Sequence, residues 1–175
     1  PLQMLIVMNK VIIALLLSTT VHAQDLPDSL LTIDYIYNYT FTDFDKSVHI
    51  ADQMRRRAME APFRLDMAEG DLYFNNGKHH QALKFYNRAM ESDSVRLDDG
   101  LTMKMLHRFI SVYDRLHNNV KLTQTIEQLL EKSRAAGDPV MESIAQFNLG
   151  KMIIYQQDKE RGYRLMREAI RLMEE

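Results

Sequence analysis

The stretch GDLYFNNGKHHQALKFYNRAM, Gly70 to Met90, decides the fold. It carries two patterns. One is chemical: the tandem His79-His80, close to Asp71 and Glu91, would suit a metal or catalytic centre. The other is steric: Gly70, Tyr73, Gly77, Ala82, Tyr86 and Ala89 stand at offsets of 0, 3, 7, 12, 16 and 19. Adjacent residues on a helix point about 100° apart, whereas two ligands on one helical face need a spacing of three or four. No HExxH-like pattern occurs, and His49, His107 and His117 lie in other segments. The steric pattern is the better reading, and it leaves the histidines as solvated residues at a helix start.

Outward from this stretch the spacing recurs. A shift of 40 residues brings Ile110, Tyr113, Leu122, Ile126 and Leu129 to matching places. A second shift of 40 brings Gly150, Ile153, Gly162, Met166 and Ala169. A weaker upstream copy, Ser47, Ala51 and Met54, repeats the second half. Small residues let two antiparallel helices cross closely, so Gly70 is expected to meet Ala82, and Gly150 to meet Gly162. Tyr73 and Tyr86 then fill the volume beside the crossing. Asn76-Gly77 reverses the chain, because glycine takes left-handed dihedrals without strain. A single hairpin cannot cover its own apolar face, so such hairpins stack.

The breaks agree with this division. Pro27, Glu60-Ala61-Pro62, Asp98-Asp99-Gly100 and Gly137-Asp138-Pro139 separate runs whose apolar residues recur every three or four positions, as in Leu122, Ile126, Leu129 and Leu130. At Gly137-Asp138-Pro139 glycine ends one helix, aspartate caps the next and proline opens it. About four hairpins result, at roughly 28–61, 63–95, 98–136 and 139–175. Thr32 to Phe41, TIDYIYNYTF, alternates like a strand and is rich in aromatics. No second strand is available to pair with it, so it too is read as helix. Its Asn38-Tyr39-Thr40 triplet matches a glycosylation sequon too short to carry weight.

On Gly70 to Ala89, on Leu149-Gly150 to Ala169 and, more degenerately, on Ile110 to Leu129, the chain resembles the tetratricopeptide repeat family. The resemblance implies an all-α fold: a right-handed superhelix of antiparallel helical hairpins over residues 24–175. Glu69 departs from a preferred leucine and Ser94 from a preferred proline. The spacing of 40 exceeds the usual 34 of the family, so the connections near Ser92–Gly100 and Ser133–Asp138 are expected to be longer, or the helices extended.

The resemblance also implies which face points inward. In the second hairpin the inner stripe is Arg64, Met67, Asp71 and Phe74. In the third it is Lys104, His107, Ser111 and Asp114, with Arg108 beside it. In the fourth it is Ile144, Phe147, Lys151 and Ile154, with Asn148 and Tyr155 alongside. A groove of basic and aromatic character suits an extended protein or peptide partner that is acidic or presents a free C-terminus. Lys104 and Arg108 stand where some members of the family hold a carboxylate, although Ala68 replaces the asparagine expected from the preceding hairpin. The plainer alternative is that these are solvated helix faces.

Bulk properties narrow the function classes. The formal charge of -2 gives no reason to expect nucleic acid as a partner. Arg55-Arg56-Arg57 reads as a solvated face near a helix end. The absence of cysteine excludes disulfides, cysteine-ligated zinc and thiol nucleophiles. No phosphate loop, nucleophile elbow or acidic cluster occurs, so no enzyme activity, cofactor or metal is expected. An enzyme using the histidines is the competing class.

At the start, Lys10, the apolar run Val11 to Leu17 and the small residues Val21 and Ala23 form a secretory signal with cleavage after Ala23. Residues 1–23 are thus a signal peptide or an N-terminal anchor, and the rest is expected in the periplasm or another extracytoplasmic space, with membrane association through such an anchor or a further C-terminal segment. At the other end, Leu165, Ile170 and Met173 are expected to leave an apolar surface for more repeats or for association. An exported array of this kind resembles the extracytoplasmic sensor regions of some bacterial two-component kinases and transcription regulators. A free-standing scaffold stays open beside it.

Overall fold

The computed structural model describes residues 25–174. The expected signal peptide or anchor, 1–23, lies outside the described residues. Within them the chain is all-helical, with no strand. A 3-10 turn, Asp28–Leu30, precedes nine described helices: α1 Ile33–Tyr39, α2 Phe44–Arg56, α3 Pro62–Asn75, α4 His79–Glu91, α5 Asp93–Arg96, α6 Asp99–Arg115, α7 Asn119–Ala136, α8 Pro139–Tyr155 and α9 Lys159–Glu174.

The aromatic, alternating stretch is α1. The Thr32 hydroxyl accepts the Tyr35 N–H at 3.3 Å and so supplies an N-cap, and Ile36 is fully buried. Strand-like residue types yield here to packing against α2 and α3.

The helix ends carry a regular cadence. Ala58, Gly77, His117, Gly137 and Gln157 all have positive φ. Each closes its helix in the same way: its N–H reaches the carbonyl three residues back, and the next N–H reaches five back. Gly77, His117 and Gln157 are 40 residues apart, so the repeat written in side chains is also written in the backbone. The helix starts keep a spacing of 20. Asp98, Asn118, Asp138 and Asp158 accept the N–H three residues on, at 2.8, 3.2, 2.9 and 3.2 Å. Lys78 breaks the series; its ammonium lies 3.7 Å from the Phe44 ring centre instead.

Within the pairs the helices run antiparallel. In α8/α9, Gly150 meets Gly162 and the Ser143 hydroxyl donates to the Ala169 carbonyl at 2.6 Å. These contacts lie six and thirteen residues either side of Gln156. A methyl on Gly150 would fall 2.7 Å from the Gly162 carbonyl oxygen, and one on Gly162 2.6 Å from that of Gly150. The glycine pair expected from the sequence is therefore a backbone-to-backbone contact. The other pair is corrected. The space over Gly70 is filled by Tyr86, whose ring atoms would lie 2.3 and 2.4 Å from an added methyl, and not by Ala82. Tyr73 stacks on Phe85 at 5.1 Å, with Phe44 edge-on at 5.4 Å.

Two apolar clusters form the core. One gathers Ile36, Ile50, Leu65 and Leu72; the other gathers Val95, Met105, Ile110, Ile126 and Leu129. Each such side chain contributes about 1.5–3 kcal/mol by leaving water. The two long connections are handled differently. Between α4 and α6 the short α5 tucks Val95 into the core, and the Thr102 hydroxyl donates to the Val95 carbonyl at 2.7 Å. Near Ser133 the extra residues lengthen α7 instead.

In the arginine run Arg56 and Arg57 are exposed, as expected of a solvated face, and Arg55 is the exception. Arg55 pairs with the buried carboxylates of Asp66, at 2.7 Å, and Glu69. Arg57 reaches Asp28 and the Leu26 carbonyl, while Arg56 pairs with Asp52 at 3.2 Å. Glu69, the departure from the expected leucine, thus has a partner one helix away. Burial still raises its pKa, against the pull of Arg55.

Candidate functional site

The inner stripe is built around Asp71, half-buried on α3. Its carboxylate accepts four hydrogen bonds. Arg108 of α6 donates two, from Nε and Nη2, each 2.8 Å; Tyr86 of α4 donates at 2.8 Å and Tyr37 of α1 at 2.9 Å. Four helices meet on one carboxylate because Gly70 lets Tyr86 lie across α3. Burial, and then the Asp71 charge and hydrogen bond, push both tyrosine hydroxyls well above their usual pKa. Burial disfavours the Arg108 cation, but its bonds to Asp71 outweigh this and raise its pKa.

Arg108 is therefore engaged within the fold. Lys151 is engaged too: its ammonium donates to Asp114 at 2.7 Å. Each of these ion pairs joins residues 37 apart in sequence and ties the first helix of one pair to the first helix of the next. Arg64 is exposed and 3.5 Å from Glu60. Phe74 packs against the His79 ring at 5.2 Å. Lys104 is exposed, and no ion-pair partner for it lies among the described residues. His107 is half-buried; burial first, then the Arg108 charge, lowers its pKa. Asn148 donates to the Ile144 carbonyl at 2.8 Å. Phe147 is partly exposed, and Tyr155 is 75% exposed.

Three of the expected residues, Asn148, Lys151 and Tyr155, line a single cleft of about 690 Å³. Its floor is Leu122 and Ile126 of α7 with Met152 of α8; its walls add Asp114, Arg115, His117, Asn119 and Gln156, and α4 contributes His79. Arg64, Asp71, Phe74, Lys104, His107, Arg108 and Phe147 lie outside it. A half-apolar cleft of this size matches small-ligand and short-peptide sites.

Of the two histidines expected to be solvated, His80 is exposed and His79 is half-buried. It does open α4, but its Nδ1 is buried without a hydrogen-bond partner, and burial, then Arg115 and His80, lower its pKa. Among the described residues no three His, Asp or Glu side chains come together as metal ligands. Sequence reasoning missed His79, Arg115 and His117 as cleft residues. The repeat does not single them out: His117 occupies the place of Gly77 one repeat later, as Gln157 does in the next. No family model, curated protein or solved structure matches this chain.

Proposed function

We propose that this chain is a non-enzymatic binding module: an exported, tetratricopeptide-type right-handed superhelix that engages a protein or peptide segment that is acidic or ends in a free carboxylate. The observation that carries this reading is the 690 Å³ cleft where three successive hairpins meet, with an apolar floor and cationic and polar walls. The 40-residue cadence of turns and the stacking of sequential helix pairs support the superhelix. The extracytoplasmic sensor region of a two-component kinase or transcription regulator, and a free-standing scaffold, are the two settings that fit. No cofactor is required. No helix among the described residues is long and apolar enough to cross a membrane.

The test is selection from a displayed peptide library on immobilised protein. Acidic or carboxylate-terminated peptides should be enriched, and Tyr155→Ala with Asn148→Ala, both in the cleft, should weaken them by about tenfold or more. Selection of no peptide, or of peptides indifferent to both substitutions, rejects the reading. N-terminal sequencing after expression with export tests the signal: a start near Gln24 supports it, an intact N-terminus removes it. Stoichiometric zinc or iron in purified protein would favour the enzyme class.

A further inference from the structure

We propose that the turn end of the cleft, formed by His79, Arg115 and His117, is a recognition site for a carboxylate group. This deepens the peptide-binding reading, on which it rests for the ligand's size alone.

The three residues come from different places. His79 is the first residue of α4, Arg115 the last of α6, and His117 the left-handed residue of the turn between α6 and α7. All line the same cavity. Two observations point to an anion as the ligand. First, the His79 Nδ1 is shielded from solvent and has no hydrogen-bond partner in the chain, whereas a buried polar nitrogen is ordinarily paired. Second, Arg115 is exposed in the cleft wall and has no ion-pair partner among the described residues, while the nearby acid, Asp114, is already held by Lys151 at 2.7 Å. The wall thus has one unmatched cation and two imidazoles.

The chemistry favours carboxylate over phosphate. A planar guanidinium pairs with a carboxylate through two parallel bonds, and each imidazole offers one donor. One net cation matches a monoanionic group better than a dianion. Leu122, Ile126 and Met152 below would take an apolar body attached to it.

The experiment follows the imidazole signals of the six histidines by NMR in the full chain, with His79 and His117 assigned from His79→Gln and His117→Gln. Probes are glutarate, inorganic phosphate, and a pentapeptide with a free or an amidated C-terminus. Glutarate, the free-acid peptide or both should shift His79 and His117 saturably, at least fivefold more tightly than phosphate, and at least tenfold more weakly in Arg115→Gln of unchanged melting temperature. Binding of the free peptide alone marks a chain terminus as the source, and of glutarate alone a small organic acid; either supports the site. No saturable shift, a shift unchanged in Arg115→Gln, or phosphate binding as tightly as glutarate overturns it. Library peptides that bind wild type and Arg115→Gln alike would leave the groove reading standing and sink this one. Glutarate binding without any selected peptide would do the reverse.

Discussion

Gly70→Ala tests the packing on which the Asp71 cluster depends. The added methyl would lie 2.3 Å from Cε1 and 2.4 Å from Cδ1 of Tyr86. Carbon atoms in contact sit about 3.5–4.0 Å apart, so the ring must retreat by more than ~1 Å. It has little freedom to do so, being 2% exposed and held at its hydroxyl by Asp71 at 2.8 Å. A retreat of that size takes the hydroxyl out of hydrogen-bonding range. Overpacking costs about 1–3 kcal/mol. Losing a hydrogen bond to a charged acceptor costs about 1.5–3 kcal/mol. Replacing a mid-helix glycine by alanine returns about 1 kcal/mol. The net expectation is a loss of about 3 kcal/mol, read by urea unfolding with linear extrapolation. The same substitution is then made in Tyr86→Val, which lacks the clashing ring atoms. There it should be neutral or stabilising by up to about 1 kcal/mol. Gly70→Ala that is harmless in the wild type, or equally costly in both backgrounds, refutes the reasoning.

Four further outcomes are expected. Gly150→Ala and Gly162→Ala should each destabilise by about 1–3 kcal/mol, and the double variant by less than their sum, because one separation of α8 from α9 relieves both clashes; additive losses in urea unfolding would count against the shared contact. His117→Gly and Gln157→Gly should each raise stability by about 1 kcal/mol, since glycine removes left-handed strain, whereas Gly77→Ala should lower it although a methyl there meets nothing; thermal melting reads all three. Asp98→Ala, Asn118→Ala and Asp138→Ala should each cost about 1 kcal/mol through the lost cap, most visibly as faster amide exchange at the start of α6, α7 and α8. In alkali, Tyr37 and Tyr86 have folded pKa values raised above the ordinary 10.0, so their contribution is complete below pH 10 and falls as pH rises beyond it; Tyr86→Phe should flatten that decline in a pH series of unfolding midpoints.

The helices and their turns were legible because their causes are local. Gly137-Asp138-Pro139 names a C-cap, an N-cap and a first-turn proline in three residues, and α7 and α8 meet there as expected. The glycine at Gly150 could be matched with Gly162 because two missing side chains at the spacing of a tight hairpin have few other uses. Gly70 was harder. Which residue fills the gap above a glycine depends on how a large side chain is pulled, and Tyr86 is pulled by Asp71, an acid that also gathers Tyr37 from 34 residues upstream. Likewise Arg55 looked like one of three surface cations; its acids, Asp66 and Glu69, lie on the next helix. In the candidate site the stripe rule put Asp114 and Lys151 on one wall, but not that they neutralise each other. The angle between adjacent helical residues excludes His79 and His80 as paired metal ligands, but the burial of His79 follows from Phe74 and the cleft rather than from its own helix.

The two 37-residue ion pairs differ in exposure. Asp71 and Arg108 have side chains 18% and 25% exposed and are reinforced by two phenols. Lys151 and Asp114 are each 36% exposed and joined by one flexible ammonium. The tie beside the cleft is thus the one more open to screening by water and salt, so added salt should loosen it before it loosens the tie at Asp71.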